Sequence, residues 1–370
     1  MAEILKVIGL MSGTSMDGID AALLDTDGED VVVPGPALFT PYGDDTRAML
    51  RAALAEAQNV AAGQPVPYSI RDAEQRLTEA HAEAVKALLA KAALAPRDVA
   101  LIGFHGQTIL HRPHQHWTWQ IGDGALLARL TGIDVINDFR SADVKAGGQG
   151  APLVPLYHAA LVAAAKNLRK PAVLVNIGGV ANVTYVGDGE ILAFDTGPGN
   201  APIDDWAHRH TGKAVDESGS LARKGRVNND VLARMLSSKF FAVKPPKSLD
   251  RMDFGLDEVK DLSAEDGAAT LTAFTAASIA RAREHFPEPA NMWIICGGGR
   301  HNPAIMDALR ARVNVPVVPA EDEGWRGDFI EAEAFAYLAV RSLRRLPLSL
   351  PTTTGVREPM TGGKLHKSRS

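Results

Sequence analysis

The stretch Gly9-Leu10-Met11-Ser12-Gly13-Thr14-Ser15-Met16-Asp17-Gly18-Ile19-Asp20 lies between two apolar runs, Ile4 to Ile8 before it and Ile19 to Leu24 after it. Both runs read as buried strands. The link between them is about eight residues long. A parallel crossover needs a dozen or more, so the two strands form an antiparallel hairpin. Gly13 and Gly18, the hydroxyls of Ser12, Thr14 and Ser15, and the carboxylates of Asp17 and Asp20 crowd this turn. A plain hairpin also uses Gly and Asp-Gly, but it rarely needs Gly-Thr-Ser and Asp-Gly together. Backbone N–H groups and hydroxyls in such a turn can converge on one anion, as proteins do to grip phosphate. The turn lacks the G-x-x-x-x-G-K-[ST] of a P-loop. It also lacks G-x-G-x-x-G, and a strand rather than a helix follows it. With no lysine and no helix dipole here, hydroxyls, amides and a magnesium ion have to serve the phosphates. Gly13, Thr14, Ser15, Met16, Asp17, Gly18, Ile19 and Asp20 are the expected phosphate-binding residues.

The arrangement recurs. Val173–Ile177 runs through Gly178-Gly179-Val180-Ala181-Asn182 into Val183–Val186, and a further strand, Ile191–Phe194, reaches Asp195-Thr196-Gly197-Pro198-Gly199-Asn200. Asp195 ends its strand where α/β folds bind ligands. Gly197 and Gly199 allow close backbone approach, and a helix from about Ala201 to His210 adds a positive dipole end. A third glycine turn, Cys296-Gly297-Gly298-Gly299-Arg300-His301-Asn302-Pro303, follows a strand and opens a helix at its proline. Three adjacent glycines cost chain entropy. They suit a flat group, such as a nucleobase or ribose, lying on bare backbone.

Val99–Phe104, Ile133–Ile136, Met292–Cys296 and Val315–Val318 read as further strands. Ile70, Ala73, Leu77, Ala80, Ala84 and Leu88 keep helical spacing, as do Leu271, Phe274 and Ser278 behind a capping box of Ser263 and Asp266. A last helix spans about Phe329 to Leu346. Residues 349–370, rich in Thr, Gly, Lys and Ser, are expected to be poorly ordered. The alternation predicts an α/β protein with mixed sheets, built as two hairpin-first halves. Arginine beside carboxylates and amides suits a sugar ring or an acidic substituent. That draws attention to His105 and Gln107 in Gly103–Thr108 and to Arg140 in Asn137–Arg140.

Composition narrows the class. The chain has 370 residues, enough for two domains, with 46% hydrophobic and 22% charged residues and a net charge of −5. No basic surplus points to nucleic acid. The single cysteine, Cys296, fits a reducing compartment. No signal-like start and no membrane-length apolar run are read, so a cytoplasmic protein without a membrane partner is expected. His105, His111, His114 and His116 lack the spacing of a metal site, and no metal-binding residues are predicted. No G-x-S-x-G elbow occurs.

In order along the chain, Gly9–Asp20, Gly103–Thr108, Trp119–Gly122, Asp138–Arg140, Ala146–Pro155, Asn176–Gly179, Phe194–Asn200 and Cys296–Gly299 resemble the 1,6-anhydro-N-acetylmuramic acid kinase family. That family lies within the actin-like, sugar-kinase and heat-shock ATPase superfamily. The resemblance covers nearly the whole chain. It implies two ribonuclease-H-like domains with mixed five-stranded sheets flanked by helices and an active site in the cleft between them. Residues 1–130 with 329–346 would form one domain, residues 131–328 the other, and 347–370 a tail. It further implies ATP and Mg2+ as cofactors and a homodimer. The implied reaction hydrolyses the 1,6-anhydro bridge of anhydro-N-acetylmuramic acid and phosphorylates O6. Asp195 matches the catalytic base. Gly178, Gly179, Gly197, Gly199, Asn200, Gly297, Gly298 and Gly299 fall to the nucleotide. His105, Gln107, Trp119, Arg140 and Glu331 fall to the sugar. Met16 stands where the family often has leucine, and Thr196 where some relatives carry cysteine. Two other readings stay open at this point. One is an ordinary hydroxyl-directed sugar kinase with Asp195 as its base. The other is a non-catalytic ATP-switched scaffold.

Overall fold

The structure is a computed structural model and describes residues 2–13, 15–249 and 254–368. The first strands are β1 (Leu5–Ser12), β2 (Gly18–Thr26), β3 (Val32–Pro41), β4 (Leu101–Arg112), β5 (Trp117–Ile121) and β6 (Val135–Asn137). They are followed by β7 (Ala172–Ile177), β8 (Val180–Val186), β9 (Ile191–Pro198), β10 (Met292–Cys296), β11 (Val317–Pro319) and β12 (Lys364–His366). The chain divides into two compact units, Met1–Ala164 with Phe329–Ser370, and Ala165–Asp328. The boundary thus falls after residue 164 rather than near 130.

The first unit carries a seven-stranded sheet in the order β12-β6-β4-β1-β2-β3, with β5 paired to β4. The second carries five strands in the order β11-β10-β7-β8-β9. In each, a first strand pairs antiparallel with the second and the second with the third, while the first pairs parallel with the fourth and the fourth with a fifth. The repeat expected from the sequence is therefore present as one strand order used twice, the ribonuclease-H-like layout. The five-strand expectation holds for the second sheet. The first gains β5 and β12.

Glycines set how closely the last helix, Ile330–Leu343, lies on the first sheet. Gly9 on β1 pairs with Gly103 on β4. A Cβ on Gly9 would fall 1.8 Å from the Ala332 carbonyl oxygen, and one on Gly103 would fall 2.0 Å from that of Phe335. The helix answers with small buried residues, Ala332, Ala336 and Ala339. Each unit has its own apolar core. One gathers Ile8, Met16, Ile19, Leu77, Leu88 and Phe104; the other gathers Val173, Phe194, Trp206, Leu271 and Phe274.

The helix with the Ile70-to-Leu88 stripe spans Tyr68–Ala92. The helix behind Ser263 spans Ala264–Arg281, and Ser263 Oγ accepts from the Asp266 N–H at 3.1 Å. The capping box is only half formed, because the Asp266 carboxylate accepts from the Arg226 N–H at 2.7 Å instead. The expectation of a loose tail is corrected. β12 pairs antiparallel with β6, and Ser349 bridges Met360. The buried Asp143 carboxylate accepts from the Ser349 hydroxyl and, at 2.6 Å, from that of Thr354. Among the described residues, no helix is long and apolar enough to cross a membrane.

Candidate active site

The β1–β2 turn is held from below. Ser12, the last residue of β1, is buried. Its Oγ donates to Gln107 Oε1 at 2.6 Å and lies 2.8 Å from the Tyr42 hydroxyl. Gln107 Nε2 donates to the Gly13 carbonyl at 3.1 Å, and the Met16 N–H reaches the same oxygen at 3.1 Å. Tyr42 also donates its N–H to the Asp17 carbonyl at 2.9 Å. Burial, together with the charges of Asp17 and Asp20, raises the Tyr42 pKa above its ordinary value, so its hydroxyl stays protonated. Ser15 Oγ donates to Asp17 Oδ1 at 2.7 Å. Met16 takes a left-handed backbone (φ 54°), uncommon for a residue with a side chain. Its side chain and that of Ile19 are buried in the core, so only their backbone is placed to meet a ligand. Thr14 lies outside the described residues. A Cβ on Gly13 would meet only Ser15 Oγ, at 3.5 Å, whereas one on Gly18 would fall 2.4 Å from the Thr40 carbonyl oxygen. Gly18 is therefore required by packing.

In the same unit, β4, β6 and the last helix gather a polar cluster. Arg140 donates from Nε to His105 Nε2 at 2.9 Å and from an Nη to the Gly150 carbonyl at 2.7 Å. His105 is buried and places Nδ1 2.8 Å from the Gly106 carbonyl. Since Nε2 accepts, the proton sits on Nδ1 and the ring is neutral. Burial and the neighbouring Arg140 charge hold its pKa well below the imidazole range. Burial also pulls Arg140 down to about 10 against the charges of Glu331 and Asp143, which leaves it cationic at neutral pH. Burial raises the Glu331 pKa, with Arg140 opposing. Glu331 lies in the first turn of Ile330–Leu343, and Phe335 one turn on packs against His105 with ring centroids 4.5 Å apart. His105 and Trp119 line a cavity of about 390 Å³, together with Glu74, Asn137, Lys364 and His366.

The second unit holds Asp195 near the end of β9. Its Oδ2 accepts from the Leu249 N–H at 2.8 Å, and its own N–H donates to the Lys247 carbonyl at 3.0 Å. Burial pushes the carboxyl up to about 7, against the Leu249 N–H and the Lys247 charge. A carboxylate poised near neutral pH is suited to general base work. The glycine turns beside it lock together, with Gly199 N–H donating to Gly179 O at 2.9 Å and Asn200 N–H to Gly178 O at 2.8 Å. Packing demands several of these glycines. A Cβ on Gly197 would meet Ser278 Oγ at 2.7 Å, one on Gly199 the Gly178 oxygen at 2.0 Å, one on Gly297 Asn176 Oδ1 at 2.2 Å, and one on Gly299 Ile177 Cγ2 at 2.2 Å. Gly178 and Gly298 are different. A Cβ on Gly178 would meet nothing closer than the Val180 carbonyl oxygen, at 3.5 Å, and one on Gly298 only Asn200 Nδ2, at 3.9 Å. Arg300 pins the third turn by donating to the Gly297 carbonyl at 3.0 Å while paired with Asp328 at 2.6 Å and Glu321 at 2.7 Å.

The anhydro-N-acetylmuramic acid kinase family model matches residues 5–368. The chain belongs to that family. It is similar to the protein named anhydro-N-acetylmuramic acid kinase in Rhodospirillum rubrum, 54% identical over 361 residues that cover 96% of this chain and 92% of the relative. A protein of the same name in Rhizorhabdus wittichii is 52% identical over 365 residues, covering 98% and 99%. Among solved structures, component A of (R)-2-hydroxyglutaryl-CoA dehydratase from Acidaminococcus fermentans aligns with a TM-score of 0.46 at 14% identity, covering 92% of this chain and 99% of that one.

Within this family member, the structure brings His105, Arg140, Glu331 and Trp119 into one region of the first unit, and Gly178, Asn200 and Gly298 into one region of the second. It does not leave Gln107 on a surface. That side chain is fully buried, and both ends of its amide are committed to Ser12 and Gly13. Sequence reasoning passed over Tyr42 and Arg300, whose side-chain partners, Ser12 for the one and Glu321 and Asp328 for the other, are remote in sequence. The polar residue types flanking the glycine turns were the available signal.

Proposed function

We propose that this protein is an ATP-dependent kinase of anhydro-N-acetylmuramic acid, acting in recycling of the bacterial cell wall. The observation that carries this reading is Asp195, a half-buried carboxyl held by the Leu249 N–H and raised to about 7. It stands in Phe194–Asn200, one of the blocks that carry the resemblance to the family.

In the proposed reaction a water attacks C1 of the anhydro-sugar and gives its proton to Asp195. A bond forms between the water oxygen and C1, and the bond from C1 to the bridging oxygen breaks. The electron pair stays on that oxygen, which becomes O6 and attacks the γ-phosphorus of ATP. The bond to ADP breaks, and Asp195 returns its proton to solvent. The Leu249 N–H fixes Oδ2 and leaves Oδ1 for the water. The turn Gly13–Asp20 holds the phosphates, the uncrowded Cα faces of Gly178 and Gly298 take the nucleoside side, and His105, Trp119, Arg140 and Glu331 take the sugar. Asp17 and Asp20 supply two carboxylates at the turn, which fits Mg2+, an ion held by one or two carboxylates plus substrate phosphates. When bound, Mg2+ supplies charge neutralisation on the transferred group.

A coupled ADP assay tests the reading. ADP should appear with ATP and anhydro-N-acetylmuramic acid together and stay at background with either omitted. Release independent of the sugar would defeat it. The absence of a membrane-length helix among the described residues and the lone Cys296 support a cytoplasmic location. The resemblance also implies a homodimer, which sedimentation would register at twice the chain mass.

A further inference from the structure

We propose that Gln107 is a positioning residue for the nucleotide-phosphate turn and not a sugar contact. The inference rests on the reading of Gly13–Asp20 as the ATP-phosphate turn. β1 and β4 run parallel, and a register shift after Leu10 sets Ser12 directly beside Gln107. Gln107 has no exposed surface, so a sugar cannot reach it without unpacking the strand. Its carbonyl end accepts from Ser12 Oγ at 2.6 Å, and its amino end donates to the Gly13 carbonyl at 3.1 Å.

The second bond gives the first its meaning. A phosphate turn works by converging N–H groups, so a carbonyl swung toward the anion opposes binding. Gly13 O is the carbonyl at risk, because it opens the turn and a Cβ on its residue would meet only Ser15 Oγ, at 3.5 Å. Gln107 and the Met16 N–H hold that oxygen against the protein from two sides. Tyr42 extends the brace. Its hydroxyl meets Ser12 just before the turn and its N–H meets the Asp17 carbonyl on the far side. The donor in contact with Gly13 O is an amide N–H, so Gln107→Glu keeps the shape and replaces that donor with an oxygen.

The test measures binding of a non-hydrolysable ATP analogue and of anhydro-N-acetylmuramic acid separately, by calorimetry, on wild type and on Gln107→Glu, Gln107→Leu and Tyr42→Phe. Each is held well below its own melting temperature. Gln107→Glu and Gln107→Leu should weaken the nucleotide about tenfold or more, the scale set by one buried hydrogen-bond partner lost, with sugar affinity within about twofold. Tyr42→Phe removes only one hydroxyl and should fold even where the others do not. It should weaken the nucleotide by about twofold to fivefold. Loss of sugar affinity with nucleotide binding intact overturns the proposal. So does unchanged affinity for both ligands alongside a lowered melting temperature, which would make the network a matter of folding alone. A wild-type chain that binds no nucleotide overturns both this inference and the ATP reading, whereas the other two outcomes overturn this inference only.

Discussion

Asp195 sits on a conflict between function and stability. Burial raises its carboxyl to about 7, so the ionised form that accepts a proton in the proposed reaction is the form the fold disfavours. A carboxyl raised on folding adds stability below its unfolded value near 4 and loses that contribution as pH rises through about 7. Turnover should therefore climb with pH through an apparent pKa near 7, measurable from initial rates across pH 5.5 to 8.5. Asp195→Asn should lose about three orders of magnitude or more in kcat. The same substitution should raise the melting temperature at pH 8 and change it little at pH 4. An Asn variant that melts earlier than wild type at pH 8 would contradict this origin of the shift. The aspartate and its glycine surroundings were readable in the sequence as a candidate site. The Leu249 N–H that orients Asp195 was not, because the bond joins positions 54 residues apart.

At the scale of elements, glycines divide into those that admit a neighbour and those that leave space. The sequence offers the same residue type for both. Gly9 and Gly103 bring the Ile330–Leu343 helix onto β1 and β4, and a methyl at either would overlap a helix carbonyl. Gly9→Ala and Gly103→Ala should each cost about 1–3 kcal/mol, the range for overpacking, or prevent folding. Urea titration would show it. Gly298→Ala, placed where a methyl meets only Asn200 Nδ2 at 3.9 Å, should change stability by less than about 0.5 kcal/mol and instead raise KM for ATP. Equal destabilisation at Gly298 and Gly9 would refute the distinction. Periodicity exposed the buried strands and the long Tyr68–Ala92 helix. It missed β3, a sheet-edge strand that carries Pro34, Pro36 and Pro41. Proline is tolerated there because one side of an edge has no ladder partner. It also missed β12, whose three residues carry no pattern of their own and are fixed by pairing with β6.

For the whole molecule, the sequence made two hairpin-first halves legible, and the shared strand order of the two sheets bears this out. The C-terminal segment has the composition of a loose tail, yet β12 pairs with β6. Its stability comes from partners far upstream, Asn137 for His366 and Asp143 for Ser349 and Thr354. Ending the chain at Leu346 should thus open the β6 edge, strip Asp143 of two hydroxyl donors and lower the melting temperature of the first unit. A truncated chain that melts with wild type would show the segment to be dispensable. The central claim, that Asp195 directs water to C1 while the freed O6 takes the phosphoryl group, is tested most directly in oxygen-18 water. Wild-type enzyme, ATP and anhydro-N-acetylmuramic acid are mixed there, and the product is trapped by reduction before O1 exchanges with solvent. Mass spectrometry should find one heavy oxygen at C1 and none in the phosphate ester. Label absent from the sugar, with phosphorylation intact, would contradict the account and leave Asp195 as the base of an ordinary hydroxyl-directed kinase.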